Sequence, residues 1–233
     1  IIIFTAFVDP SWAGAVALEW LPTVNDLGDP SPPSMVDKAR LSALANPLVS
    51  VLLALSLVGY AFGSYGFPVP KMLLFGGLED GHYWRLITPI FLHFGALHLV
   101  FNALWLGLLG SKIERAAGSI QALMLIVAIA IASNVGQYLW TGSVRFGGMS
   151  GVIYGLLGYL WIHHSMFPRP IYALPRELVG FMLAWLLICM TGVLDFLLGV
   201  GIANAAHLCG LLAGMALGLI FGYVESHKRA NRQ

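Results

Sequence analysis

Between Arg115 and Arg145 the chain reads AAGSIQALMLIVAIAIASNVGQYLWTGSV, residues 116–144, without one Asp, Glu, Lys or Arg. A helix crossing the hydrocarbon core of a bilayer needs about 20 apolar residues, and this run holds 29. The pattern repeats on both sides. Charge-free intervals also cover 41–70, 86–111, 146–168, 178–194 and 196–224, the shortest 17 and the longest 30 residues long. Irregular backbone cannot face lipid, because its polar groups would go unsatisfied, so these runs predict six transmembrane helices. Their cores fall near 48–65, 90–110, 119–140, 149–166, 178–194 and 202–223. The expected fold class is all-α: a polytopic membrane protein folded as a six-transmembrane-helix bundle.

Composition agrees. Of 233 residues, 58% are hydrophobic and 10% charged, and the mean hydropathy is +0.82. Soluble domains carry about 25% charged residues. A net charge of +1 with no basic cluster argues against a nucleic-acid partner. Cys189 and Cys209 both lie in apolar stretches, which excludes a disulfide framework and leaves them as packing residues. Neither has a metal-ligating neighbour at useful spacing, and no metal or cofactor is expected.

Lys and Arg set the orientation. Lys38, Arg40, Lys112, Arg115, Arg169, Arg176, Lys228, Arg229 and Arg232 fall in loops on one side, and only Lys71, Arg85 and Arg145 on the other. Nine against three places both termini in the cytoplasm by the positive-inside bias. Residues 1–46 read as an N-terminal cytoplasmic segment and linker, 47–224 as the membrane domain, and 225–233 as a basic cytoplasmic tail. The run Ile1–Val8 is too short to span and lacks the marks of a signal peptide, so it is expected to be a strand or surface piece of a truncated region. Residues 24–38, rich in Pro, Asp and Gly, read as a linker. The non-cytoplasmic segment 66–89 carries Phe67, Phe75, Tyr83 and Trp84 and is expected to rest on the membrane interface.

Polar residues inside spans are costly and mark candidate sites. His98 and Asn102 lie early in the second span, Ser150 opens the fourth, and His207 lies early in the sixth. All three spans enter from the non-cytoplasmic side, so these groups share one layer. Around the serine the sequence is Gly147-Gly148-Met149-Ser150-Gly151, in which glycines permit a sharp turn and free backbone N–H groups. A serine needs a base to become a nucleophile, and His207 is the candidate. The Ser150 N–H, the Asn102 carboxamide and His98 are candidate oxyanion donors, with Gly148 and Tyr154 in support. Tyr154, one turn after Ser150, is expected to pack on the His207 ring.

Each residue also has a plainer reading. A serine at a helix start is more often a cap. His93 reads as a brace of the outer loop, and the adjacent His163 and His164 as interfacial. Gly210, Gly214 and Gly218 have the spacing for close helix approach, with Gly151 and Gly155 as expected partners. Asp195, at the outer end of the fifth span, reads as a surface or capping residue. No His-Glu-x-x-His and no pair of intramembrane aspartates is present, so zinc and aspartyl proteolysis lack their residues. A transporter would show inverted repeats and mid-membrane polar groups, and a catalytically silent client-binding protein remains the nearer alternative.

Several of these stretches resemble the rhomboid family. Gly147–Gly151 is similar to its GxSG motif, His98-Leu99-Val100-Phe101-Asn102 to its HxxxN motif, and Ala206-His207-Leu208-Cys209-Gly210-Leu211-Leu212-Ala213-Gly214 to its AHxxGxxxG motif. Trp84-Arg85 matches the WR pair of the first outer loop, and Glu114-Arg115 with Gly118 resembles the usual connection between helices 2 and 3. The resemblance covers about residues 47–224 and is nearest to bacterial six-helix members. It implies an intramembrane serine endopeptidase with a Ser150–His207 dyad and no catalytic acid. It also implies water access from outside, substrate helices entering laterally past a mobile fifth helix amid lipid, and a bacterial inner membrane.

Overall fold

The computed structural model describes residues 35–64, 71–79, 81–198 and 201–231. The run 1–8, the expected linker as far as residue 34, Phe67 and Arg232 lie outside the described residues. The chain divides at Pro47 into two units. In the first, the described part includes helix α1, Met35–Ala45, so the chain is already helical where the linker reading still ran. The second is helical, with no strand among the described residues. Its helices are α2 (Pro47–Ser64), α3 (Ala96–Ala117), α4 (Ser119–Thr141), α5 (Ser150–Met166), α6 (Arg176–Met190), a short α7 (Val193–Leu198) and α8 (Asn204–Ala230).

Four segments are long and apolar enough to cross a membrane: α3, α4, Pro170–Met190, which contains α6, and α8. The apolar part of α2, Pro47–Phe62, is shorter, and α5 has only 17 residues. At 1.5 Å per residue α5 is about 25 Å long, less than the roughly 30 Å hydrocarbon core. Its length follows from its place. Gly151 through Leu160 are all buried, so α5 is wrapped by protein instead of lipid. Before it, the non-helical stretch from Gly142 carries the chain inward, with Phe146 and Met149 buried.

Helix α3 departs from expectation at both ends. It begins at Ala96 because Thr88–Phe91 form a 3-10 turn and Leu92 and His93 are buried beside it. At its other end a π-helical segment, Leu106–Gly110, carries the helix on through Lys112, Glu114 and Arg115. Those charges read as loop in the sequence. Glu114 is instead 3% exposed, and its carboxylate accepts the N–H groups of Leu48 (2.8 Å) and Val49 (3.0 Å) and the hydroxyl of Ser119 (2.7 Å). The first amides of a helix have no partner within it and carry positive partial charge. Glu114 therefore caps α2 from a distance. Gly118, with φ of +84°, then makes the turn into α4.

Helix α6 ends at Met190, short of the expected 194, and Asp195 sits in the first turn of the separate α7. Helix α8 runs on to Ala230, so most of the basic tail is helical. The two cysteines differ: Cys189 is buried and Cys209 half-buried, the latter directly against Gly136.

The described part of the outer connection is a folded unit. Arg85 donates from Nε to the Leu74 carbonyl (2.9 Å) and from Nη2 to that of Phe75 (3.4 Å), and the Thr88 hydroxyl donates to the Met72 carbonyl (2.6 Å). Phe75 was expected at the interface but is buried between the rings of Tyr138 and Phe146, with centroids 5.2 Å away. Tyr83 and Trp84 do stay exposed.

The closest packing joins α5 to α8. A methyl group on Gly210 would strike the Gly151 carbonyl, one on Gly214 the Gly155 carbonyl, and one on Gly218 the Tyr159 carbonyl at 2.7 Å. Gly151 and Gly155 are the partners that the small-residue spacing predicted; Tyr159 is a third that it did not. Only hydrogen at Cα lets the two backbones lie this near.

Candidate active site

The glycine seam brings the start of α5 beside the first turns of α8. His207 Nε2 lies 2.7 Å from Ser150 Oγ. The imidazole is buried, at 7% exposure, and the Tyr154 ring packs beside it with centroids 5.0 Å apart. His207 Nδ1 has no hydrogen-bond partner among the described residues. Asp195, the carboxylate nearest in sequence, instead accepts the Ile202 N–H at 2.9 Å. The Ser150–His207 pair therefore has no carboxylate on its Nδ1 side among the described residues, and an aromatic ring packs beside the imidazole.

Gly148 sets the approach to Ser150. Its φ of +120° suits only glycine, and a Cβ there would fall 2.7 Å from His98 Nε2. The imidazole of His98 therefore lies against the backbone two residues before Ser150. The Gly148 N–H donates to the Pro89 carbonyl at 3.0 Å, tying this turn to the outer connection. Asn102 is buried one turn beyond His98, and its Nδ2 donates to the His98 carbonyl at 2.8 Å. No direct bond joins Asn102 to Ser150. His93 is fully buried, with its ring 5.0 Å from that of His98 and Nδ1 3.1 Å from the Phe91 carbonyl.

Three contacts around the pair were not foreseen. Gln137 of α4 accepts the Ala206 N–H through Oε1 at 3.0 Å, next to His207. Asn134, one turn earlier, donates to the Leu86 carbonyl at 2.8 Å. The Tyr154 hydroxyl donates to the Met182 carbonyl of α6 at 3.1 Å. Gln137 and Asn134 are amides inside an apolar span, the same signal that singled out Asn102. Among the described residues no three of His, Cys, Asp and Glu gather as metal ligands would.

A polytopic helical membrane protein with a serine and a histidine joined within its helices is the class that this fold and site define. The Rhomboid domain family model matches residues 80–224, and the chain belongs to the rhomboid family. It is similar to the rhomboid protease GlpG of Photorhabdus laumondii, with 36% identity over 182 residues, which is 77% of this chain and 63% of that protein. The rhomboid proteases GlpG of Yersinia pestis and Yersinia pseudotuberculosis are 41% identical over 134 residues, 58% of this chain and 46% of theirs. The chain thus matches about half to two thirds of the length of these relatives.

Proposed function

We propose that the chain is an intramembrane serine endopeptidase that cuts transmembrane segments of other membrane proteins. The single observation that carries this reading is the 2.7 Å contact between His207 Nε2 and Ser150 Oγ at the start of the buried helix α5. The names of its relatives support the same activity.

A neutral His207 accepts the hydroxyl proton at Nε2 as Ser150 Oγ attacks a substrate carbonyl carbon. The resulting oxyanion takes hydrogen bonds from the Ser150 N–H, His98 and Asn102, the last after its amide turns from the His98 carbonyl. His207 then gives its proton to the leaving amine nitrogen as the C–N bond breaks. Water, deprotonated by His207, attacks the acyl carbon, and His207 returns that proton to Ser150 Oγ as the ester C–O bond breaks. The Tyr154 ring, 5.0 Å from the imidazole between centroids, supports His207 beside this exchange.

Substrates enter laterally from the lipid past α6, both termini are cytoplasmic, and the membrane is a bacterial inner membrane. In support of the orientation, Lys112 donates to the Ile171 carbonyl (3.3 Å), so two of the loops assigned to the cytoplasm meet at one end of the bundle. Residues 1–46, 47–224 and 225–233 then serve as cytoplasmic segment, membrane domain and tail.

The test is cleavage of a model transmembrane substrate in proteoliposomes. Wild type should cut it, and Asn102→Ala should slow the cut by an amount equivalent to about 2–4 kcal/mol in the barrier. An uncut substrate that nonetheless co-purifies with the protein would replace this reading with client binding.

A further inference from the structure

The end of α5 opposite Ser150 holds a second cluster of polar groups that the proposed reaction does not use. His163 was read as interfacial from sequence, yet it is 1% exposed. Aromatic rings surround it: Tyr172 at 4.6 Å, Tyr159 at 5.6 Å and Phe167 at 6.3 Å between centroids. Neither ring nitrogen has a hydrogen-bond partner among the described residues. His164, by contrast, is spent locally, with Nδ1 2.8 Å from the Arg169 carbonyl.

His163 lines a cavity of about 320 Å³ between the end of α5 and α8, near the lower limit of the roughly 300–1,000 Å³ usual for small-molecule sites. One wall is apolar, from Met166, Phe167 and Pro168; the other carries Arg169, Glu225 and Arg229. Arg169 Nη1 donates to Glu225 Oε2 at 2.6 Å, and that oxygen lies 3.7 Å from His163 Nε2. One ion pair cancels itself within the cavity. Arg229 is left, exposed at the rim, with no carboxylate within salt-bridge distance among the described residues. The donors of Arg229 and the remaining N–H groups of Arg169 border a space that has one uncancelled positive charge, with the buried His163 ring behind it. Guanidinium groups favour the tetrahedral oxygens of a phosphate.

We propose that this cavity binds a phosphate ester, with Arg229 and Arg169 on its oxygens and the apolar wall against its organic part. Two sources share that chemistry: the headgroup of an anionic phospholipid and a soluble phosphate. A bound ligand would bridge the segment after α5 to the last turns of α8, the same two helices that carry Ser150 and His207 at their far ends. Binding to the folded chain raises its thermal stability.

The test is native mass spectrometry of the full chain in detergent, titrated separately with phosphatidylglycerol, phosphatidylcholine and inorganic phosphate, with thermal unfolding alongside. Phosphatidylglycerol is expected to saturate one site and raise the unfolding temperature, and Arg229→Gln to weaken it by about five- to tenfold. Arg229→Lys, which keeps the charge but not the planar fork, should restore only part of the affinity. Lys228→Gln removes the same charge next door, outside the cavity lining, and should change it less than twofold. Saturable binding of inorganic phosphate alone, lost in Arg229→Gln, would assign the site to a soluble phosphate. Equal weakening by Lys228→Gln and Arg229→Gln would reduce the effect to diffuse attraction and overturn the proposal. So would the absence of saturable binding by any of the three probes.

Discussion

Helices α8 and α6 both flank α5, and they are held in opposite ways. Four of the eight buried residues of α8 are glycines, three of them set against backbone carbonyls of α5, and 44% of its most apolar stretch is buried. For the segment containing α6 the share is 22%. Trp185, Leu187 and Ile188 of α6 face outward. It is held by a few separate contacts: the Tyr154 hydroxyl on the Met182 carbonyl, Asn204 Nδ2 on the Cys189 carbonyl at 2.9 Å, and the stacking of Phe181 on Trp105 with centroids 6.3 Å apart. The contrast separates two demands. In the proposed reaction, proton transfer needs Ser150 and His207 held within a fraction of an ångström, and their helices are joined by a seam of close backbone packing. The proposed lateral admission of a bulky substrate would need a neighbour that moves at low cost, and α6, with little buried surface, meets that demand.

The largest expected effect lies at the rigid seam. Ser150→Ala and His207→Ala should each lower cleavage by a factor on the order of 10⁴ or more, and the double variant should be no worse, because the two act as a unit. Rates of substrate cleavage at equal protein in vesicles measure this; additive losses would mean that the groups do not work together. Next is Gly214→Val, whose branched side chain must displace the Gly155 carbonyl. It should cost about 3 kcal/mol of stability, since backbone cannot repack as a side chain does, and cleavage should fall with it. An unfolding temperature that stayed at the wild-type value would show that the seam is looser than described.

Glu114→Ala tests the contrast from the far side. It removes the acceptor of three donors and should cost about 2 kcal/mol, while the hydrogen exchange of α6 amides stays as in wild type. Faster exchange confined to α6 would break the division between the two regions. The smallest effect is expected for Tyr154→Phe. Losing the hydroxyl leaves the His207 ring packed but frees the Met182 carbonyl, at about 1 kcal/mol. Amide exchange in α6 should rise with little change in unfolding temperature, and no rise would show that other contacts hold α6.

The seam was more legible in the sequence than the props around it. Gly147–Ser150, His207 and the glycines of α8 announce themselves, because polar and small residues stand out within apolar runs and recur at helical spacing. The same approach read Glu114 as loop, since three charges within four residues look like the end of a span. Its partner amide at Leu48 is 66 residues away, and nothing local signals that a carboxylate will cap a distant helix. Gln137 was passed over for the same reason, with its acceptor role on Ala206 set 69 residues off. His163 went astray because proximity to a helix end suggests water, whereas here Tyr159, Tyr172 and Phe167 close over it. The first 34 residues lie outside the described part, so the expected strand and most of the linker stand as sequence expectations.

The most direct test of the central claim is labelling of the detergent-solubilised chain with a fluorophosphonate probe, which reacts only with an activated serine. The account predicts labelling of wild type at Ser150 and its loss in both Ser150→Ala and His207→Ala, each with an unchanged unfolding temperature. Labelling that persisted in folded His207→Ala would contradict it, because the 2.7 Å contact between Nε2 and Oγ would then not be what activates the serine.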